Sequence, residues 1–216
     1  MSALTNFTVE NVSRETLSRV DQWLEQKGAH FEHYKELLLW WNQKINLVSR
    51  ELTSKELGLH IKHCLILAAY VELFNENLWV DTGTGGGLPG IPFSIVFPTK
   101  ELVLNDIVEK KSVALKDMAR KLGLENTRVE IRDIATVSLD KPFSVMTKHA
   151  FKTADLLQRL SGKPWKHLVF LKGADYIDEL SSVDTSQYHI RVLSLEFTQP
   201  EAFFKGKYLL HLCRID

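Results

Sequence analysis

The apolar triplet Leu78-Trp79-Val80 runs directly into Asp81-Thr82-Gly83-Thr84-Gly85-Gly86-Gly87-Leu88-Pro89-Gly90-Ile91-Pro92, and a second apolar stretch, residues 93–97, leaves it. A strand that ends at an acid and turns through glycines into a helix is a cradle for a nucleotide-type ligand. Glycines let the backbone approach a ligand closely and adopt positive φ. The helix start beyond them offers unpaired N–H groups and the positive end of a dipole.

The rest of the chain sets this cradle in a fold class. Residues 1–75 read as a helical extension. Residues 14–27 place Leu17, Val20, Trp23 and Leu24 at helical spacing, with Gly28 as a stop. Residues 31–43 and 55–74 follow the same rhythm. From residue 76 to 216 the pattern changes to one compact unit. Short apolar runs fall at 78–80, 101–104, 128–131, 143–146, 167–171, 190–197 and 208–212, with helical segments such as 108–122 and 153–160 between the first five. That alternation predicts an α/β domain with a mainly parallel sheet. The last two runs have no such helix between them, only the Thr198-Gln199-Pro200 region and Gly206, and so predict an antiparallel hairpin. Five parallel strands closed by a hairpin match the Rossmann-like, seven-stranded sheet of class I methyltransferases.

At 216 residues the chain suits one substantial domain. Twenty-seven basic and 27 acidic residues balance, which argues against coating nucleic acid through overall charge but leaves a local basic face open. The two cysteines, Cys64 and Cys213, form no CxxC and stand near no histidine cluster of ligand spacing, so neither a metal site nor a disulfide is expected. No run approaches the ~18 apolar residues of a membrane span. The first ten residues lack a basic region followed by an apolar block, so a cytoplasmic location is expected.

The glycines alone satisfy two fingerprints. Gly83, Gly85 and Gly87 give Asp-x-Gly-x-Gly-x-Gly, frequent in S-adenosylmethionine (SAM) enzymes; Gly85, Gly87 and Gly90 give GxGxxG, the dinucleotide signature. Asp81, near where the methionine end would lie, and the prolines at 89 and 92 favour SAM. With Asp81 and the glycines, Thr84 and Leu88 are candidate loop contacts. Asp106, at the end of the second apolar run, is placed to accept both ribose hydroxyls, with Ile107 beside it; it also suits a turn or cap before Val108. Asp133 and Ile134 fall where an adenine would rest, the acid for its amine and the isoleucine for its ring. A solvated loop acid is the competing reading for Asp133.

Several segments together resemble one family, the bacterial small-subunit (16S) rRNA guanine-N7 methyltransferases, also called the glucose-inhibited division protein B family. Trp41-Asn42-Gln43-Lys44-Ile45-Asn46-Leu47 is similar to its N-terminal signature, and Gly87-Leu88-Pro89-Gly90-Ile91-Pro92 to its extended glycine loop. Asp106 with Glu109-Lys110-Lys111, Leu122-Gly123-Leu124 with Asn126, and Leu171-Lys172-Gly173 add to the match. The resemblance implies methyl transfer from SAM to N7 of a guanine in 16S rRNA of the 30S subunit; a monomer is the default expectation, and His30, His33, His60 and His63 show no ligand spacing for a metal. It carries Gly83, Gly85, Gly87 and Asp106 over as SAM contacts. Three segments depart from it, one of them Asp133-Ile134-Ala135, which falls where the family has Arg-Ala-Glu. Ile66-Leu67 stands where the family has Asp-Ser, and His149, within Thr147-Lys148-His149-Ala150, stands where it has arginine.

N7 of guanine carries a lone pair and no proton, so such a reaction needs orientation and desolvation rather than a general base. Lys148 and His149, after the fourth apolar run of the sheet, are the candidate catalytic residues in that sense: they would hold a phosphate or the guanine O6, or His149 would stack on a base. His149 is also a candidate cofactor contact. Trp40 and Trp41 read as helix-packing residues. A paralogue with another or a lost target, and a nicotinamide-dependent oxidoreductase, are the alternative readings.

Overall fold

Strands covered on both faces must be apolar throughout, whereas an edge strand can alternate. The computed structural model, which describes residues 7–196 and 202–215, follows this rule. β2 (Leu78–Thr82) is buried along its whole length. β3 (Glu101–Asp106), β5 (Phe143–Lys148) and β6 (Trp165–Lys172) are nearly so. At one edge, β4 (Thr127–Ile131) is only partly covered. β7 (Tyr188–Ser194) and β8 (Tyr208–Arg214) form the expected antiparallel hairpin. The expected run 190–197 ends three residues early as a strand, and Phe197 and the Thr198-Gln199-Pro200 connection lie outside the described residues.

An eighth strand escaped the sequence reading. β1 (Val9–Asn11) pairs in parallel with β7 and extends the sheet to the order β1-β7-β8-β6-β5-β2-β3-β4. Three exposed residues, Val-Glu-Asn, carry no periodicity to read. The cleavage of the chain at residue 75 needs the same revision. β1 belongs to the sheet, and the N-terminal helices α1 (Arg14–Gln26), α2 (Gly28–Asn42) and α3 (Ser54–Tyr70) share one core with Trp79, Phe93 and Met146.

That core also takes in α4 (Gly90–Val96) and α5 (Glu109–Lys121), whereas α6 (Thr153–Arg159) and α7 (Tyr176–Ser181) cover the opposite face with Val80, Val145 and Leu210. Trp79 and Val80 enter different cores because successive strand side chains point to opposite faces.

Local chemistry sets the helix ends. Ser13 accepts the Thr16 N–H at 3.1 Å to start α1. Thr53 and Glu56 form a capping box that starts α3 one residue before the expected 55. That helix ends at Tyr70 rather than 74. Gly28 does not stop a helix; Lys27 breaks the chain, with φ −114°, and Gly28 opens α2.

β2 leads to β3 and β4 on one side, while β5 and β6 lie on its other side. This switch point, at the carboxyl ends of β2 and β5, is where an open α/β sheet forms a crevice.

A buried polar chain ties α3 to the hairpin. Tyr70 Oη lies 2.8 Å from His211 Nδ1, and His211 Nε2 lies 3.0 Å from His167 Nδ1. Burial, then the neighbouring His167 and Arg191, push His211 down to about 3. Burial also lowers His167, against the pull of Glu76. Unfolded imidazoles bind protons near 6.5. The unfolded chain therefore takes up more protons as pH falls, and stability present above pH 6.5 is lost on the way toward pH 4. His211→Gln is expected to make this loss shallower by up to about 1.4 kcal/mol per pH unit. Denaturant midpoints of the two proteins between pH 4 and 7.5 measure the difference, and parallel profiles would contradict it.

Candidate cofactor and substrate site

The glycine turn is built from beneath by Asp81. Its carboxylate is wholly buried, and Oδ2 accepts the Thr84 hydroxyl at 2.5 Å and the Gly90 N–H at 2.7 Å. Burial raises this carboxyl to about 7, with the two hydrogen bonds pulling the other way. Oδ1 has no partner. A Cβ on Gly90 would stand 2.4 Å from Leu104 and 2.7 Å from Asp81 Oδ2, so only glycine lets α4 sit this close to β3.

The N-terminal helices brace the turn from the side. Tyr34 donates its hydroxyl to the Gly86 carbonyl at 2.9 Å. Asn42, buried, accepts the N–H groups of Leu47 and Val48 at 2.8 and 3.0 Å and donates to the Ser49 carbonyl at 3.2 Å. It thereby folds the 42–49 segment so that Leu47 lies against Gly85 and Gly86. Trp41 donates to Asp117 on α5 at 3.0 Å. Trp41 packs as expected, but Trp40 does not: it is exposed, with Lys44 4.1 Å and Lys121 5.3 Å from its ring.

At the switch point these elements enclose a cleft of about 310 Å³, lined by Thr82, Gly83, Asn105, Asp106, Ile107, Val108, Lys111, Asp133, Ile134, Ala150, Phe151 and Arg159. Gly83 adopts φ +68°, and a Cβ there would meet the Ala150 side chain at 2.4 Å. The turn and the 149–151 segment therefore touch, and a side chain at 83 would separate them.

The structure brings Gly83, Asp106, Ile107, Asp133 and Ile134 to the cleft wall. Asp106 is the cap that one of its two readings expected, with Oδ1 accepting the Val108 N–H at 3.0 Å, while Oδ2 takes the Gly85 N–H at 3.0 Å and Lys111 Nζ at 3.2 Å at the cleft wall. Asp133 caps a short turn through the Ala135 N–H at 2.9 Å and pairs with Arg159, whose hydrogen bond holds its carboxyl below the usual range. It is thus no free loop acid.

Six expected contacts do not line this wall: His149, which lines a second cleft, Gly85, and four residues of the turn. Asp81 and Thr84 are spent on each other below the turn, Gly87 meets only Ile91 within it, and Leu88 is buried in the core. They shape the cradle without lining it. Gly85 reaches it only through Asp106. Arg159, Lys111, Asn105 and the Ala150–Phe151 pair were missed. The last three lie beside residues that the motif singled out, and adjacency was their only signal.

His149 leaves β5 with φ +54°, its N–H donating to Leu171 at 3.2 Å. Single non-glycine residues in this region concentrate at functional sites. It lines a second, smaller cleft with Ala150, Phe151, Lys152, Lys172, Asp175 and Glu179. Lys172 is buried and tied to Glu179 and to the Phe151 carbonyl, and Glu179 accepts the Thr153 N–H at 2.7 Å. This pair holds the 149–153 segment in place. Burial, with the charges of Lys148 and Lys207, pushes His149 down to about 4, so its imidazole is uncharged at neutral pH, and burial lowers Lys148 as well.

The sequence profile of the rRNA small subunit methyltransferase G family, GidB, matches residues 27–201. The chain belongs to this family. The family member so named from Chlorobaculum tepidum is 34% identical over 160 residues, 71% of this chain and 72% of that protein. That from Flavobacterium psychrophilum is 31% identical over 193 residues, 85% of this chain and 90% of that protein. Among solved structures, a SAM-dependent O-methyltransferase from Thermotoga maritima superposes with TM-score 0.55 at 12% identity, covering 72% of this chain and 65% of that one. A methyltransferase from Geobacter sulfurreducens gives 0.53 at 13%, covering 94% and 91%. These two share the class I methyltransferase fold with this chain.

The family signatures now have physical content. Its Trp-Asn-x-x-Ile-Asn-Leu segment is the brace on the glycine turn, and its Leu-Pro-Gly-Ile-Pro extension is the close entry into α4. The departure at Ile66-Leu67 is a packing one, since both side chains are fully buried in α3. Another, His149, stands at the mouth.

The wall supports a test. Gly83→Ala combines an unfavourable φ with a 2.4 Å contact, so the turn and residues 149–151 must part. The variant is expected to lose at least tenfold in affinity for S-adenosylhomocysteine, the demethylated cofactor, by calorimetry, while its circular dichroism stays that of the parent. Equal affinity would show that this close approach does not shape the cleft.

Proposed function

We propose that this family member transfers the methyl group of S-adenosylmethionine to N7 of a guanine in 16S rRNA, acting as a monomer on the small ribosomal subunit. The observation that carries the cofactor reading is the cleft at the switch point, with the Asp106 carboxylate on its wall beside the glycine turn. Its size falls at the lower end of small-ligand sites, which run from about 300 Å³.

When bound, the cofactor supplies an electrophilic methyl group on a sulfonium. Asp106 is set to receive the ribose hydroxyls, once Lys111 yields part of its hold on Oδ2. Ile134, buried behind the cleft, and Ile107, exposed at its rim, offer apolar faces to the adenine. The exocyclic amine would share the Asp133 carboxylate with Arg159. Gly83 closes the turn against Ala150 and Phe151 at the end of the cleft where the methionine portion would lie.

No residue has to remove a proton from N7, and none at the mouth is built to do so: His149 is turned by its backbone rather than held by a carboxylate. What the chain provides is orientation. Lys148 offers an ammonium group at the mouth beside the base, and the 149–151 segment fixes the base relative to the cleft.

Calorimetry with S-adenosylhomocysteine tests the cofactor, and nucleoside mass spectrometry of 30S subunits and of naked 16S rRNA after incubation with SAM tests the reaction. Binding and new 7-methylguanosine are expected. Saturable binding without 7-methylguanosine in either substrate would refute the target. Asp106→Ala removes a buried charged acceptor and is expected to weaken cofactor binding by ~1.5–3 kcal/mol, roughly tenfold or more; unchanged affinity would remove the ribose assignment.

A further inference from the structure

Beside the cofactor cleft, the carboxyl end of β5 meets α3 and the start of β8 in a group of side chains that cofactor binding does not use. His60 and His63 lie one turn apart on α3. His63 is fully buried, and among the described residues neither ring nitrogen has a hydrogen-bond partner; His60 Nδ1 is also buried and has none among them. Phe203 stands edge-on to His60 at 4.9 Å and to His63 at 6.1 Å. His149 and Phe204 complete the cover over His63 at 6.2 and 6.0 Å. Lys207 Nζ lies 4.0 Å from the centre of the Phe203 ring and donates to its carbonyl. Lys148 closes the group from β5. Among the described residues neither lysine forms an ion pair, and carboxylates act on Lys148 only at a distance, through Asp81.

We propose that this basin seats a phosphodiester of the RNA substrate next to the target base, held by Lys148 and Lys207 with the imidazoles of His60 and His149 as further donors. The inference rests on the rRNA methyltransferase reading. Its chemistry selects a phosphate over a base edge. A guanine edge presents N–H donors at N1 and N2 as well as the O6 acceptor, and would need an acceptor here. The basin offers two ammonium groups and imidazole nitrogens, while of the acids that face it Glu56 acts on His60 and Asp175, toward His149, lies in the neighbouring cleft with the Lys172–Glu179 pair. An acceptor-only anion supplies what these donors lack. His63, beneath the cover, does not touch the anion; it is a positioning residue for the His149 ring.

One consequence is proton uptake. In the free protein, burial and the lysine charges hold His60 and His149 near 4 and His63 well below its ordinary value. The other charges facing them are Glu56 toward His60, Asp175 and Lys172 toward His149, and the Cys64 thiol and Asp81 carboxyl toward Lys148. An anion between the lysines cancels much of the repulsion and raises the imidazoles. RNA binding is then linked to protonation, and affinity rises as pH falls from 8 toward 6.

The test is retention of 30S subunits by the full chain saturated with S-adenosylhomocysteine, between pH 6 and 8 and between 50 and 200 mM salt. At least a threefold tightening from pH 8 to pH 6 is expected. His60→Gln with His149→Gln should flatten that dependence, and Lys207→Gln should lower the log–log salt slope by about 1. Calorimetry with S-adenosylhomocysteine verifies that each variant keeps its cleft, and the wild-type pH profile needs no variant. Affinity for 30S subunits that does not change with pH, in a protein that still produces 7-methylguanosine, overturns the basin and leaves the function standing. Absence of both binding and methylation overturns both.

Discussion

A single buried carboxylate oxygen closes the turn on which the site depends. Asp81 Oδ2 holds the Thr84 hydroxyl and the Gly90 N–H, one at each end of the glycine loop. The loop must leave β2, expose backbone toward the cleft and re-enter the core as α4 within a few residues. Gly83, Gly85 and Gly87 take positive φ along that path, so the loop follows neither a regular strand nor a regular helix. The acid supplies an acceptor at a fixed point, and burial makes the bonds to it strong. Any side chain at Gly90 would push this oxygen away from its donors, so residue 81 and residue 90 constrain each other across the turn.

The same turn explains why the N-terminal helices cannot be considered a separate appendage. Tyr34 bonds the Gly86 carbonyl, and Asn42 gathers the backbone of residues 47–49 so that Leu47 rests on Gly85 and Gly86. The glycines lack side chains of their own to pack, and the surface they leave is filled by residues forty positions earlier. A motif that looks like a ligand-contacting signature in the sequence is, in this fold, a structural partner of the ligand-contacting one.

Much of the fold was legible because central strands are long apolar runs and helices have a 3.6-residue rhythm; these patterns survive in a single sequence. β1 was not legible, since its pairing with β7 is set by tertiary contact and its three residues are exposed. At the site, Asp106 and Gly83 were readable because a strand end and a glycine define their positions without reference to anything distant. Arg159 was not, because its approach to Asp133 depends on how α6 crosses the sheet. Asp81 was located at the turn, but its bonds to Thr84 and Gly90 within the loop were not read. Sequence position fixes that an acid ends the strand, but only the path of the turn decides whether its oxygens face the ligand or the loop.

The mouth of the site follows a different electrostatic logic from the cleft. In the cleft each charge has an opposite beside it: Asp106 with Lys111, Asp133 with Arg159. Beyond it, the Lys172–Glu179 pair is likewise closed. Between β5, α3 and β8, Lys148 and Lys207 form no ion pair among the described residues, and there burial and the lysine charges push the histidines down. Mutual repulsion in a partly buried place is a standing cost to the free protein. It is removed when a polyanionic substrate arrives, so the free energy stored in the unpaired lysines is recovered only with RNA in place. Replacing an arginine by His149 at this point lowers the cost in the free state, because an imidazole can give up its proton where a guanidinium cannot. The substitution therefore changes when the charge is present, which ties this departure from the family pattern to the pH at which the RNA is engaged.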